Sequence, residues 1–70
     1  MKITYDPDAD AMNIEFQKGK YHISKEIAEG IIIDYTKGGK VISIELLDAS
    51  KRMPPKSIRD ITVGIPVRAV

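Results

Sequence analysis

Apolar and polar residues alternate along most of this chain with a period of two. That spacing is typical of strands with one buried face, because successive side chains of a strand point to opposite sides. The alternation predicts strands around residues 3–5, 12–16, 21–27, 31–35 and 41–47. We therefore predict a mainly β domain, α+β at most, built as an antiparallel β-meander of about five strands.

The glycine pair Gly38-Gly39 predicts a two-residue type I′ turn, which fixes the register of the strands on either side. In that register every apolar residue has an apolar partner on the same face, which makes the pairing self-consistent. The predicted pairs are Lys37 with Lys40, Tyr35 with Ile42, Ile33 with Ile44 and Ile31 with Leu46.

Two further turns extend the predicted meander toward the N-terminus. A two-residue turn at Lys18-Gly19 would form a hairpin and place Glu15 and His22 together on its polar face. The loop from Asp6 to Ala11 would form the first hairpin and complete one apolar face shared by all strands. The predicted pairs are Phe16 with Tyr21, Ile14 with Ile23, Tyr5 with Met12 and Ile3 with Ile14.

The pattern changes after Leu47. Residues 48–53 favour one short helical turn after residue 48, because Pro54-Pro55 prevents a longer helix. Residues 61–70 alternate again and predict a C-terminal strand, which Gly64 and Pro66 confine to a sheet edge or to exchange between subunits. We therefore expect a single domain over residues 1–70, with a β-meander over 1–52 and a Pro-Pro hinge and C-terminal strand over 53–70.

The composition of the chain excludes some stabilising sites and indicates which partners to expect. The chain has 70 residues, no cysteine and a formal net charge of +1, which excludes disulfides and cysteine-based zinc sites. A core this small gains little over the entropy of ordering the chain, so we expect a homo-oligomer. Because the charges are interspersed and no long apolar or targeting segment is evident, we expect a cytoplasmic protein without a nucleic-acid or membrane partner.

The acidic turn Asp6-Pro7-Asp8-Ala9-Asp10 is the most suggestive local motif. Its alternating carboxylates resemble the first ligands of a calcium loop, but the glycine and the distant glutamate of such a loop are missing. An Asx turn explains the same residues, since aspartate at the start of a turn accepts backbone amides. We favour the turn, and we keep metal or small-ligand binding through Asp6, Asp8 and Asp10 as the alternative function.

Other polar residues offer weaker chemistry. Glu15 and His22 could form a pair, but neither a nucleophile nor a pocket is evident around them. We interpret Asp48 and Ser50 as a helix cap, in which the carboxylate or the hydroxyl accepts backbone amides. Four lysines flank the two glycine turns and could form a basic edge at one end of the sheet; they are Lys18, Lys20, Lys37 and Lys40. We assign no catalytic, metal or cofactor-binding residue and expect no cofactor.

The segments YDPDADAMNIEF and GIIIDYTKGGKVISIELLDASKR resemble the small bacterial and archaeal proteins of domain-of-unknown-function family 2283. The resemblance covers residues 1 to about 52 and departs from the family pattern at Asn13, where an aromatic residue is expected. The matching positions are Tyr5, Asp6, Asp10, Ala11, Gly30, Asp34, Gly39, Ile44, Glu45, Leu47, Asp48, Ala49 and Ser50.

The resemblance implies no established activity or catalytic residue. It implies an antitoxin-like binding role, because family members are suspected of lying beside genes for small toxin-like proteins. We therefore predict a non-enzymatic β module that self-associates and that has a protein of another kind as a second candidate partner. An enzyme remains the last alternative, since no acid-base pair or nucleophile can be assembled from the sequence.

Overall fold

The computed structural model describes residues 1–60, which form one five-stranded antiparallel sheet and two short helices. The strand order across the sheet is β1-β2-β5-β4-β3. The predicted mainly β class and the number of strands are confirmed. The elements are β1 Lys2–Asp6, β2 Ala11–Glu15, β3 Tyr21–Ala28, β4 Ile31–Thr36, β5 Val41–Leu46, α1 Ala49–Arg52 and α2 Pro55–Asp60.

The strand order is not that of a simple meander, and the predicted hairpin between β2 and β3 is wrong. On the side away from β1, β2 pairs with β5, the middle strand of the sheet. Strand β3 lies at the far edge and pairs with β4. Residues 16–20 connect β2 to β3 across the ends of β5 and β4, held by a hydrogen bond of 2.8 Å from the Phe16 amide to the Ile42 carbonyl. Five residues at about 3.3 Å each span the roughly 14 Å of three strand spacings. Strands β2 to β5 thus form a Greek key.

The register of the first hairpin is confirmed, with Ile3 opposite Ile14 and Tyr5 opposite Met12. The register between β4 and β5 is confirmed for Ile33 with Ile44 and Ile31 with Leu46. Beyond Asp34 a bulge shifts it, and Tyr35 lies opposite Val41 instead of Ile42.

The turn between β4 and β5 explains that shift. Only the second glycine, Gly39, has a positive φ, of 88°, so the predicted type I′ turn, which needs two, does not form. The Gly39 amide donates to the Thr36 carbonyl over 3.0 Å and the Thr36 amide to the Lys40 carbonyl over 2.9 Å. These are the bonds of a three-residue loop with a type I turn and a glycine bulge, which adds one residue to the predicted loop.

The register separates the two faces of the sheet. The apolar face consists of two rows that cross β1, β2, β5 and β4 in that order. The first row is Tyr5, Met12, Leu46 and Ile31, and the second is Ile3, Ile14, Ile44 and Ile33. The polar face carries the rows Lys2, Glu15, Ser43, Asp34 and Ser24, and Thr4, Asn13, Glu45, Ile32 and Glu26.

Helix α1 forms where the sequence predicted a short helical turn, and α2 packs next to it. Ala49 in α1 is fully buried. Within residues 1–60, no helix is both long and apolar enough to span a membrane. The predicted C-terminal strand over residues 61–70 lies outside the described residues.

Candidate functional site

The polar face contains a hydrogen-bonded network centred on Asp34. Its carboxylate accepts the Ser24 hydroxyl from β3 over 2.5 Å and the Ser43 hydroxyl from β5 over 2.6 Å. The hydroxyls of Tyr21 and Ser24 share a further hydrogen bond of 2.8 Å. The three strands β3, β4 and β5 are therefore tied together at one carboxylate, and the hydroxyl of buried Ser43 is satisfied there.

Glu45 lies diagonally across from Asp34 on the same face, beside Asn13 and Ile32. Its partial burial raises the pKa of the Glu45 carboxyl above its ordinary value, and the neighbouring Asp34 carboxylate adds to that effect. The two carboxylates therefore repel one another at neutral pH. Asp34 accepts both serine hydroxyls, but a serine nucleophile would also need a donor that stabilises the developing charge.

A second network joins the first turn to α1 through Asp10. Its carboxylate accepts the Tyr5 hydroxyl at 2.8 Å, the Ser50 amide at 3.0 Å and the Ser50 hydroxyl at 2.7 Å. The Asp10 carbonyl also accepts the Ala49 amide at 2.9 Å. These bonds place the start of α1 on the turn between β1 and β2, across 40 residues of sequence.

The ionised form of Asp10 is favoured by this arrangement. Hydrogen bonds from Ser50 and then from Tyr5 hold the pKa of the Asp10 carboxyl below its ordinary value. The same contact raises the pKa of the Tyr5 hydroxyl, because that hydroxyl donates to a carboxylate. Asp10 therefore acts as the cap of α1, supplied from a distant loop.

The cap predicted within the helix itself is wrong. Asp48 occupies the N-cap position in a left-handed conformation, with φ of 54°, and its side chain makes no capping hydrogen bond. Ser50 contributes its hydroxyl, but as a donor to Asp10 instead of as an acceptor of amides. Nothing in the local sequence around residue 48 indicates that the carboxylate comes from Asp10.

The acidic turn adopts the predicted Asx geometry. Asp6 accepts the amides of Asp8 at 2.9 Å and Ala9 at 3.4 Å through one carboxylate oxygen. With Asp6 engaged in the turn and Asp10 engaged with α1, the three carboxylates do not converge. Among residues 1–60, no group of three or more histidine, cysteine, aspartate or glutamate side chains could hold a metal ion.

The predicted contact between Glu15 and His22 does not form, because β2 and β3 are not neighbours in the sheet. Glu15 instead lies 3.4 Å from the ammonium of Lys18. Gly19 and the Gly38-Gly39 turn do lie at the same end of the sheet, as predicted, since Gly19 is next to Thr36 and Ile42. The four lysines at these turns are exposed.

The apolar face is incompletely buried in the described part of the chain. Of the eight side chains in its two rows, only Met12 is buried, at 2% exposure, and the others are half-buried. At the β3 edge the face ends in Ile23 and in Lys25, whose ammonium lies 5.8 Å from the centre of the Tyr35 ring.

Comparison with known proteins agrees with the family resemblance seen in the sequence. The family model described as a protein of unknown function (DUF2283) matches residues 2–50. Nothing matches the chain among curated proteins or among solved structures. The match spans all five strands and the start of α1, and the chain therefore belongs to the DUF2283 family.

Proposed function

We propose that this chain is a non-enzymatic β module that self-associates by packing its apolar face against that of a second copy. The single observation that carries the proposal is the incomplete burial of the two apolar rows, in which seven of eight side chains are only half-buried. A β-sheet with one apolar face needs a second layer to bury it. Within residues 1–60, the buried hydrophobic residues are Met12 and Ala49 alone.

A second copy is a suitable layer for three reasons. Its own apolar face has the same unmet need for burial, so one contact serves both molecules. Two sheets pack face to face about 10 Å apart with interdigitating side chains, and isoleucine-rich rows suit that packing. The added burial also supplies what a domain of this size lacks when it is alone.

The protein-binding part of the proposal rests on the surfaces that such a dimer leaves outside. The polar face carries the Asp34 network, to which the edge strand β3 adds the exposed Tyr21. These outer groups would form the binding surface for a second protein. In an antitoxin-like role, that protein would be a small toxin-like protein. Affinity purification of the tagged chain from its own cells, with mass spectrometry of co-purifying proteins, tests this part.

Adjacent residues of β4 provide a matched test of self-association. Ile33 belongs to the apolar face, whereas Ile32 points to the polar face, and both are half-buried in the same central strand. We expect light scattering with size-exclusion chromatography to show a wild-type dimer, a monomer for Ile33→Lys and a dimer for Ile32→Lys. Far-UV circular dichroism verifies that each variant is folded.

If Ile33→Lys does not fold, Ile3→Lys on the edge strand β1 provides the same change at a less central position of the apolar face. A wild-type chain that stays monomeric at all accessible concentrations would overturn the proposal. So would folded apolar-face variants that dimerise as well as the wild type does.

A further inference from the structure

Charged residues of the described chain are sorted to opposite ends of the strands. We call the end that holds residues 16–20 and 37–40 the basic end; its charged residues are Lys2, Lys18, Lys20, Lys37 and Lys40, with Glu15 as the acidic one. We call the other end the acidic end; its charged residues are Asp6, Asp8, Asp10, Glu29 and Asp48, with Lys51 and Arg52 as the basic ones. The strands therefore run between regions of opposite net charge.

The sequence indicates the basic end through the four lysines near its glycines, but it does not indicate the acidic end, which collects residues from distant positions. The reversal of chain direction at every turn places the segments around residues 18 and 38 together and those around residues 8, 29 and 48 together. Helix α2, which contacts α1, adds Lys56, Arg59 and Asp60 and leaves the acidic end net negative.

We propose that the second copy packs on the apolar face turned end for end, so that each basic end lies against the acidic end of its partner. This inference rests on the proposed self-association and specifies its geometry.

Two sheets that pack face to face with their strands roughly aligned can form a two-fold dimer in two ways. The two-fold axis lies between the sheets, close either to the strand direction or to the direction across the strands. With the axis along the strands, the lysine-rich ends would face each other, and so would the carboxylate-rich ends. With the axis across the strands, both contacts join opposite charges. Like charges in contact select against one arrangement as effectively as opposite charges favour the other.

The charges concerned are exposed, which makes the proposal testable without disturbing the sheet. Lys20, Lys37 and Lys40 at the basic end are exposed, as are Asp8 and Glu29 at the acidic end. In the turn, Lys40 uses its backbone groups for hydrogen bonds to Thr36, and Glu29 uses its carbonyl to accept from Arg52. Reversing their side-chain charges leaves those backbone bonds in place.

The experiment compares three full-length variants with the wild type by sedimentation equilibrium at low and high salt. They are K20E/K37E/K40E, D8K/E29K and the combination of all five substitutions. We expect each parent variant to raise the dimer dissociation constant about tenfold or more at low salt, from several weak surface pairs lost together. The combined variant should dimerise more tightly than either parent, and added salt should reduce all of these differences.

Each outcome of this comparison has a distinct meaning. If the axis ran along the strands, each variant would relieve repulsion between like ends and would dimerise more tightly than the wild type. That result, or dissociation constants unchanged by charge reversal, would overturn the orientation and leave the proposed self-association intact. A monomeric wild type would overturn both.

Mixing provides an independent readout. When wild type and K20E/K37E/K40E are combined in equal amounts, the end-for-end dimer gives each heterodimer one favourable and one unfavourable contact. Native mass spectrometry should then find heterodimers at or below the statistical half. Enrichment above that fraction would contradict the proposed orientation, because only a like-end arrangement favours the mixed pair.

Discussion

Gly30 occupies a position that a side chain cannot enter without displacing Arg52. Its φ is +75°, its amide donates to the Glu26 carboxylate over 2.9 Å and its carbonyl accepts the Leu47 amide over 2.8 Å. The Arg52 guanidinium crosses above it and donates to the carbonyls of Glu29 and Leu47. A Cβ added at Gly30 would collide with that guanidinium. We therefore predict that Gly30→Ala destabilises the domain through strain and through loss of the arginine contacts.

Gly39 provides the matched control, because its φ is +88° and a Cβ there would meet no atom within 4 Å. A left-handed backbone destabilises the folded state of an alanine variant by about 1–2 kcal/mol. The lower conformational entropy of its unfolded state offsets about 0.4–1 kcal/mol of that loss. Gly39→Ala should therefore cost about 1 kcal/mol. Gly30→Ala should cost about 2–4 kcal/mol, because at least one hydrogen bond to a charged group is lost in addition.

Urea unfolding at one fixed protein concentration measures both costs, since self-association makes stability depend on concentration. A double-mutant cycle then isolates the collision. In an Arg52→Ala background, the cost of Gly30→Ala should fall to that of Gly39→Ala. Equal costs for the two glycine variants in the wild-type background, or an unchanged cost after Arg52 is removed, would refute the reasoning.

Three further variants probe the core and the two networks. Met12→Ala should cost about 2–5 kcal/mol of unfolding free energy in urea, whereas Ile27→Ala, at a side chain 58% exposed, should cost less than about 1 kcal/mol; similar costs would contradict the assigned core. Asp10→Asn should melt below wild type at neutral pH. Because the pKa of Asp10 is lowered when folded, that deficit should hold above the ordinary value of 3.8 and vanish as pH falls through the folded pKa. A deficit that persists in acid would refute the role of the charge. Glu45→Gln should melt above wild type at pH 7. Because the pKa of Glu45 is raised, the wild type regains stability as pH falls through the folded pKa, and the two curves should meet below 4.5. Parallel curves would refute the raised pKa of Glu45, which is caused first by burial and then by the Asp34 carboxylate.

The strands and their faces could be predicted from the sequence because alternation reports which side of a strand is buried. The first hairpin was predicted in its correct register for the same reason, with Ile3 opposite Ile14. Alternation does not report which strands are neighbours. Ile14 finds an isoleucine on the apolar face whether it pairs with Ile23, as in a meander, or with Ile44, as it does. The apolar pattern therefore fits both strand orders.

The Asp10 contacts could not be predicted, because they depend on that strand order. Asp10 lies in a turn that a local Asx interpretation explains through Asp6, and Ser50 lies in a helix that a local cap at Asp48 would explain. Both local interpretations were complete without a contact across 40 residues. Only the sheet, which brings the end of β5 beside the turn after β1, places Asp10 at the start of α1.

The observed strand order also decides where the least apolar strand lies. In a meander, β3 would occupy the centre of the sheet and carry Lys25 into the middle of the apolar face. The crossover at residues 16–20 moves β3 to the edge, where two bulges and a charged residue are common protections against unwanted pairing. The two apolar rows then run uninterrupted from β1 to β4. The crossover leaves Lys18 and Lys20 at the end that holds Lys37 and Lys40, as a meander would, because successive strands reverse direction in both strand orders. The continuous apolar face therefore depends on the observed strand order, whereas the charge separation that orients a second copy on it follows from chain reversal alone.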